Sequence, residues 1–155
     1  IHDIDTSADK SGSIYVAGVY LDDLFSGTNV HHNVIARCHL GVMFGGGRDD
    51  KFDNNLIIDC ENSTFMDARG VGWAAYHAAP GGQAYNTIFW VPYNQPPWST
   101  RYPELATIFD HGKLGLPYNN SIQNNLFYNP VVTMIANEMY TYGTVQNRRS
   151  FHVFV

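Results

Sequence analysis

Val30-His31-His32-Asn33-Val34-Ile35-Ala36-Arg37-Cys38, Phe52-Asp53-Asn54-Asn55-Leu56-Ile57-Ile58-Asp59-Cys60 and Ile122-Gln123-Asn124-Asn125-Leu126-Phe127-Tyr128-Asn129 are three versions of one pattern. The first two are offset by 22 residues at every matched position, so Asn33 maps to Asn55 and Cys38 to Cys60. The same offset carries Val19-Tyr20-Leu21-Asp22-Asp23 onto Gly41-Val42-Met43-Phe44-Gly45 and then onto Ser63-Thr64-Phe65-Met66-Asp67. Each unit holds short runs of β-branched and aromatic residues punctuated by Asn, Gly and Asp, which reads as strand, turn, strand, turn. A period in the low twenties with several strands per period predicts an all-β chain. Its expected fold is a right-handed parallel β-helix, a solenoid of about 22 residues per rung whose stacked rungs bury an inward apolar ladder. Asn33, Asn55 and Asn125 fall where the chain must turn, and their amides are placed to hydrogen-bond along the stack.

Residues 71–118 break the period. The interval from Asn55 to Asn125 is 70 residues, four more than three rungs, and no repeat is visible within it. The expectation is one long irregular excursion carrying Trp73, Tyr76, Trp90, Tyr93, Trp98 and Tyr102, and loops of this length are often functional. Only Pro103 to Phe109 suggests a helical turn. Residues 1–155 are expected to form a single domain, or a fragment of a larger one. Val145-Gln146-Asn147 echoes Ile122-Gln123-Asn124, and the apolar end Phe151 to Val155 predicts self-association or missing flanking rungs.

The net charge of −5 offers no basic footprint, which excludes a nucleic-acid partner, and the longest apolar runs fall far short of a membrane span. With 45% hydrophobic and 15% charged residues, a folded core is expected. No signal segment opens the chain. Cys38 and Cys60 lack zinc spacing and leave the compartment open; one rung apart, they suit either a disulfide or a buried thiol pair. The histidines form no metal-ligand pattern. Calcium is the one cofactor that Asp22, Asp23, Asp49, Asp50 and Asp53 leave open, although a solvated acidic rim explains them equally; the expected cofactor is none.

The Val19–Asp23 segment, the Gly45-Gly46-Gly47-Arg48-Asp49 loop, the Asn54-Asn55 pair and Asp67-Ala68-Arg69-Gly70 resemble motifs of right-handed parallel β-helix repeat proteins. That superfamily contains pectate lyases, polygalacturonases and other carbohydrate-active enzymes, and the resemblance, to a bacterial branch, covers roughly residues 14–70 and 118–147. It implies a secreted or periplasmic carbohydrate-active protein whose groove lies along one stripe of the solenoid.

The repeat places Asp23 and Asp67 at one position of rungs one and three, with Gly45 between them. Two parallel-strand steps separate their Cα atoms by about 9 to 10 Å. Inverting glycosidases hold their acid and base carboxyls roughly 6.5 to 9.5 Å apart, so this pair is the candidate catalytic one, over a trough floored by Gly45. Asp22, Gly46, Gly47, Arg48, Asp49, Arg69, Trp73 and Trp98 are candidate substrate-binding residues. Three glycines let the backbone approach a ligand, two arginines 21 residues apart can fork onto carboxylates or hydroxyls, and the rings can stack on sugars. The expected function is a glycoside hydrolase acting on a polysaccharide or oligosaccharide. Two rivals remain: a polysaccharide lyase with Arg48 or Arg69 as base and calcium bound, and a non-catalytic glycan-binding or structural solenoid. Turn-capping aspartates, an Arg48–Asp49 or Arg48–Asp67 pair and a satellite aromatic core are the structural alternatives for the same residues.

Overall fold

A computed structural model describes residues 1–4, 16–110, 114–128, 132–135, 141, 144–146 and 149–151. The strands are β1 (Ala17–Leu21), β2 (Asn29–His31), β3 (Val34–Ala36), β4 (Leu40–Gly45), β5 (Lys51–Asp53), β6 (Leu56–Ile58), β7 (Asn62–Asp67), β8 (Ser121–Gln123), β9 (Leu126–Tyr128), β10 (Val132–Ile135), β11 (Thr144–Gln146) and β12 (Arg149–Phe151). Every third strand pairs in parallel. The result is three four-stranded sheets with orders β1-β4-β7-β10, β2-β5-β8-β11 and β3-β6-β9-β12. Residues 1–4 lie alongside β3 through a parallel bridge between His2 and Ala36.

Three-residue strands bury one side chain each, and these stack into columns. Val30, Phe52 and Ile122 are in register in one sheet, as are Ile35, Ile57 and Phe127 in another, and all six are buried in a common core. Cys38 and Cys60 belong to that core as free thiols, and burial pushes the Cys60 thiol up to about 11.

Register between the second and third cycles follows the 22-residue offset throughout, with Val34 on Leu56 and Gly45 on Asp67. The offset of 70 also holds, with Leu56 on Leu126. The first cycle departs from the repeat. Val19 pairs with Val42 and Leu21 with Phe44, an offset of 23 in place of 22. That shift keeps Val19 and Leu21 packed on the core, in line with Val42–Thr64 and Phe44–Met66. The additional residue is absorbed between β1 and β2, where Asp23 and Leu24 have φ of 26° and 65°. Asp23 is therefore not the register mate of Gly45 and Asp67, as the simple repeat predicts.

Two amide ladders fix the corners. Asn33 N–H donates to Asn55 Oδ1 at 3.0 Å and Asn55 N–H to Asn125 Oδ1 at 2.8 Å, while Asn55 Nδ2 donates to Val30 O and Asn125 Oδ1. The left-handed residues at this corner are the preceding ones, His32, Asn54 and Asn124 (φ 55 to 58°). The ladder asparagines supply side chains where a turn conformation was expected of them.

At the next corner Thr28 N–H donates to Asp50 Oδ1 at 2.9 Å and Asp50 N–H to Asn120 Oδ1 at 2.8 Å, while Asn120 Nδ2 donates to Gly47 O at 2.7 Å. Asp50 thus takes an asparagine's place, but its Oδ2 is buried without a partner. One repeat before Gly47 O stands Phe25 O, which crowds the same face of Gly47 as Asp50 Oδ2 does. A proton on Oδ2 would reproduce the amide's donation. Burial pushes the Asp50 carboxyl up to about 7, against the lowering effect of the Thr28 N–H and with a further rise from Asp49.

The excursion spans residues 68–120, somewhat wider than expected, and interrupts the third cycle between its first and second strands. It contains a 3-10 turn (Arg69–Val71) and four short helices, α1 (Ala75–Ala78), α2 (Gln83–Ile88), α3 (Trp98–Arg101) and α4 (Pro103–Ala106), where the sequence signalled only the last. The rings of Tyr85, Phe89, Tyr93 and Phe109 pack at 5.3 to 5.8 Å as a satellite core. The C-terminal residues 152–155, part of the expected apolar edge, lie outside the described residues.

Two predictions follow from the ladders. Asn55→Ala strands Val30 O and the Asn33 and Asn125 amides, and should cost about 3 kcal/mol or more in urea unfolding, whereas Asn54→Gly, at an exposed left-handed position, should stay within about 0.5 kcal/mol. Asp50 is raised when folded, so the native state holds a proton that the unfolded chain releases near 3.8. Its contribution is fully present below pH 4 and is lost as pH rises through about 7. Asp50→Asn should therefore gain on the parent by on the order of 3 to 4 kcal/mol between pH 4 and pH 8; a pH-independent difference would contradict the protonated ladder.

Candidate functional site

Asp67 ends β7, and the 3-10 turn after it folds the Arg69 side chain back across Gly45. Arg69 is buried, with its side chain only 4% exposed, and it binds three carboxylates. Nε donates to Asp67 Oδ1 at 3.0 Å, and Nη1 donates to Asp22 Oδ1 at 2.8 Å and Asp23 Oδ1 at 2.9 Å. Burial alone would lower the guanidinium, but the hydrogen bonds from Asp67 and Asp23 and the charges of Asp67 and Asp22 raise it well above its ordinary value. The Trp73 ring, 66% exposed, lies over the same guanidinium at 5.2 Å.

Gly45 does leave a trough between the aspartates, and the trough holds Arg69: a Cβ at Gly45 would sit 2.9 Å from Arg69 Cζ. Gly46 takes φ of 77° with Arg69 and Leu24 beside it, and Gly47 is packed beneath the Phe25 carbonyl. The three glycines admit the protein's own chain. Asp22 and Asp23, expected to point in opposite directions along a strand, converge on one nitrogen because the chain leaves the extended conformation at Asp23.

Arg48 and Arg69 do not share a target. Arg48 is equally buried; its Nε donates to Asp49 at 3.0 Å, its Nη1 to Ile108 O at 2.9 Å, and Tyr118 stacks on it at 5.3 Å. Asp49 also accepts from Asn119 at 2.9 Å.

The open space lies between the residue 23–27 and 46–49 turns on one side and the helical excursion on the other. A cavity of about 360 Å³ is lined by Asp23, Phe25, His77 and Thr87 among others. A second, of about 210 Å³, shares Leu24 and Ala84 with it. A third, of about 380 Å³, shares Ser26, Arg48, Leu105 and Ile108 with the second and reaches Asp49, Trp98, Tyr102 and Glu104. The three form one row, a groove with a carboxylate at each end and an apolar middle. Asp23, Arg48, Asp49, Gly46 and Trp98 line it; Asp67 and Arg69 stand behind the Asp23 end, and Trp73 lies over Arg69 outside it. Tyr102 and Glu104 were not signalled as site residues, since their place depends on how the excursion folds back. Among the described residues no group of three or more His, Cys, Asp or Glu side chains is arranged to hold a metal ion.

Comparison of the chain with protein-family models, curated proteins and solved structures finds no match.

The contact at Gly45 gives a third prediction. Gly45→Ala should cost about 1 to 3 kcal/mol by displacing Arg69. In an Arg69→Ala background, itself costly because three carboxylates lose their cation, the same change should be nearly neutral, giving a coupling of about 1 kcal/mol or more in a double-mutant cycle. Additive losses would show that Arg69 does not fill the trough.

Proposed function

We propose that this chain is a right-handed parallel β-helix of the pectate-lyase-like kind, and that it binds an extended glycan along the groove and hydrolyses it. The observation that carries the reading is the continuous row of three cavities from Asp23 to Glu104. A groove of that shape suits a chain-like ligand better than a compact one, and its mix of rings, apolar surface and a few carboxylates suits sugars.

Asp23 is the carboxylate we assign to the chemistry. Its Oδ1 is held by Arg69, it is half exposed, and its Oδ2 makes no hydrogen bond to the described residues while the side chain lines the groove. Asp67 lines none of the three cavities, and both its oxygens lie within hydrogen-bond distance of Arg69 Nε. One guanidinium bridges the two groups, which bounds their oxygens at no more than about 8 Å, within reach of a hydrolytic pair. In this reading Asp23 touches the substrate at the glycosidic bond and Asp67 positions it through Arg69.

A lyase finds less support. Arg48 and Arg69 both donate to carboxylates, and a guanidinium raised above its ordinary value is a poor proton acceptor. A binding role without catalysis is favoured by the same network, since all three acidic groups are engaged by Arg69.

The test is a panel of soluble polysaccharides followed by reducing-end release and by ultraviolet absorbance of unsaturated uronates. Hydrolysis predicts reducing ends without absorbance, and a loss of roughly 10²- to 10⁴-fold in Asp23→Asn with little change in melting. Asp67→Asn should lose stability as well as rate, because it loosens a buried arginine. Full activity in Asp23→Asn would remove it from the mechanism, and binding without any product would leave the non-catalytic role.

A further inference from the structure

We infer that the Trp98 end of the groove is a subsite for a neutral pyranose ring, and that the groove selects hydroxyl-rich neutral glycans over polyuronates. The inference rests on the carbohydrate reading above and supplies its substrate class.

The subsite is a cavity of about 380 Å³ in which Trp98, Tyr102, Glu104, Asp49 and Arg48 converge. Trp98 opens α3 and Tyr102 follows its last residue, so one helical turn brings the two rings together, stacked at 6.1 Å with 30° between their planes. Tyr102 stays exposed and Trp98 half-buried, leaving aromatic surface towards the cavity. Such a surface takes the C–H face of a sugar, which is apolar and flat, and excludes water from it.

Glu104 stands beside the rings in the first turn of α4, and its carboxylate makes no hydrogen bond or ion pair to the described residues. A carboxylate is an acceptor with two oxygens and no donor, so its natural partners are hydroxyl groups, which a pyranose presents at its rim. Trp98 and Glu104 together supply the two contacts that a neutral sugar offers, face and edge.

The charge of the groove settles which sugars these are. Asp23, Asp49 and Glu104 line it. Against them stands Arg48, whose side chain is only 5% exposed and whose donors are directed to Asp49 and the Ile108 carbonyl. Arg69, behind the Asp23 end, is occupied by its three aspartates. His77 is the one further described side chain on the lining that can carry positive charge, and it lies at the opposite end from Trp98. A polyuronate would bring one carboxylate per residue past these acids with no guanidinium turned to receive it, whereas a neutral chain meets acceptors suited to its hydroxyls.

The experiment titrates the full chain with cellohexaose, xylohexaose, mannohexaose and hexagalacturonate, following tryptophan fluorescence and heat at low and moderate salt. At least one neutral hexasaccharide should bind, with little dependence on salt, and hexagalacturonate should bind about tenfold more weakly or not at all. Trp98→Ala should weaken neutral binding about tenfold and Trp98→Phe less, while Glu104→Gln should weaken it severalfold with the melting temperature unchanged. Hexagalacturonate binding tighter than every neutral chain would overturn the inference and leave the glycan reading standing. Parental affinity in both Trp98→Phe and Glu104→Gln would overturn the subsite. Failure of all four probes would remove the inference and the glycan reading together.

Discussion

The structure depends on a side-chain amide that does the work of a backbone. Asn55 accepts from the amide of the cycle before it, donates into its own corner at Val30, and passes its own N–H to Asn125 in the cycle after. Parallel strands of three residues have few ladder bonds with which to define register, and a slip of one residue would turn each buried column outward. The corner ladder fixes the register where the strands alone would not. The second ladder, through Thr28, Asp50 and Asn120, repeats the solution one corner away. Between the two corners β5 and β8 have no freedom to slide, and Phe52 and Ile122 are held in one column.

That fixed frame is what permits the excursion. The chain leaves after Asp67 and returns at Ser121, directly onto β5 with Lys51 facing Ser121, so more than fifty residues are inserted without disturbing the stack. Long insertions add little closure cost when their ends are held close together. The insertion then folds its helices over the residue 23–27 and 46–49 turns and creates the groove. Arg69 is the hinge of this arrangement: it belongs to the insertion, yet its guanidinium binds Asp22 and Asp23 in the first cycle and rests on Gly45 in the second. Three carboxylates around one buried arginine offset the desolvation that would otherwise make such a site costly.

The period was legible because ladder chemistry demands the same residue type in each cycle, and Asn33, Asn55 and Asn125 carry it openly. Register was legible only where the connections have equal length. The first cycle holds one more residue between β1 and β2, and hydrophobic pattern rather than offset decides that Val19 meets Val42. This displaced Asp23 from the column that the repeat assigned to it. The cluster of Asp22, Asp23, Asp67 and Arg69 was legible as a stripe, but not that the arginine would fill the space between the aspartates, since three glycines admit a ligand and a side chain equally. The helices of the excursion are four to six residues long, too short for an apolar period, so the sequence signalled only the one that opens with Pro103. Tyr102 and Glu104 join Asp49 in one cavity through tertiary folding of the excursion, and no local pattern announces that meeting.

The central claim is that the groove between the turns and the excursion is where this protein meets a glycan. Amide chemical-shift mapping with cellohexaose and xylohexaose on the labelled full chain tests it most directly. The account predicts shifts at Ser26, Arg48, Ala84 and Leu105, which line the joined cavities, and none at Val34 or Leu56 on the outer face of the β3-β6-β9-β12 sheet. Shifts confined to that outer face, with the groove residues unmoved, would contradict it.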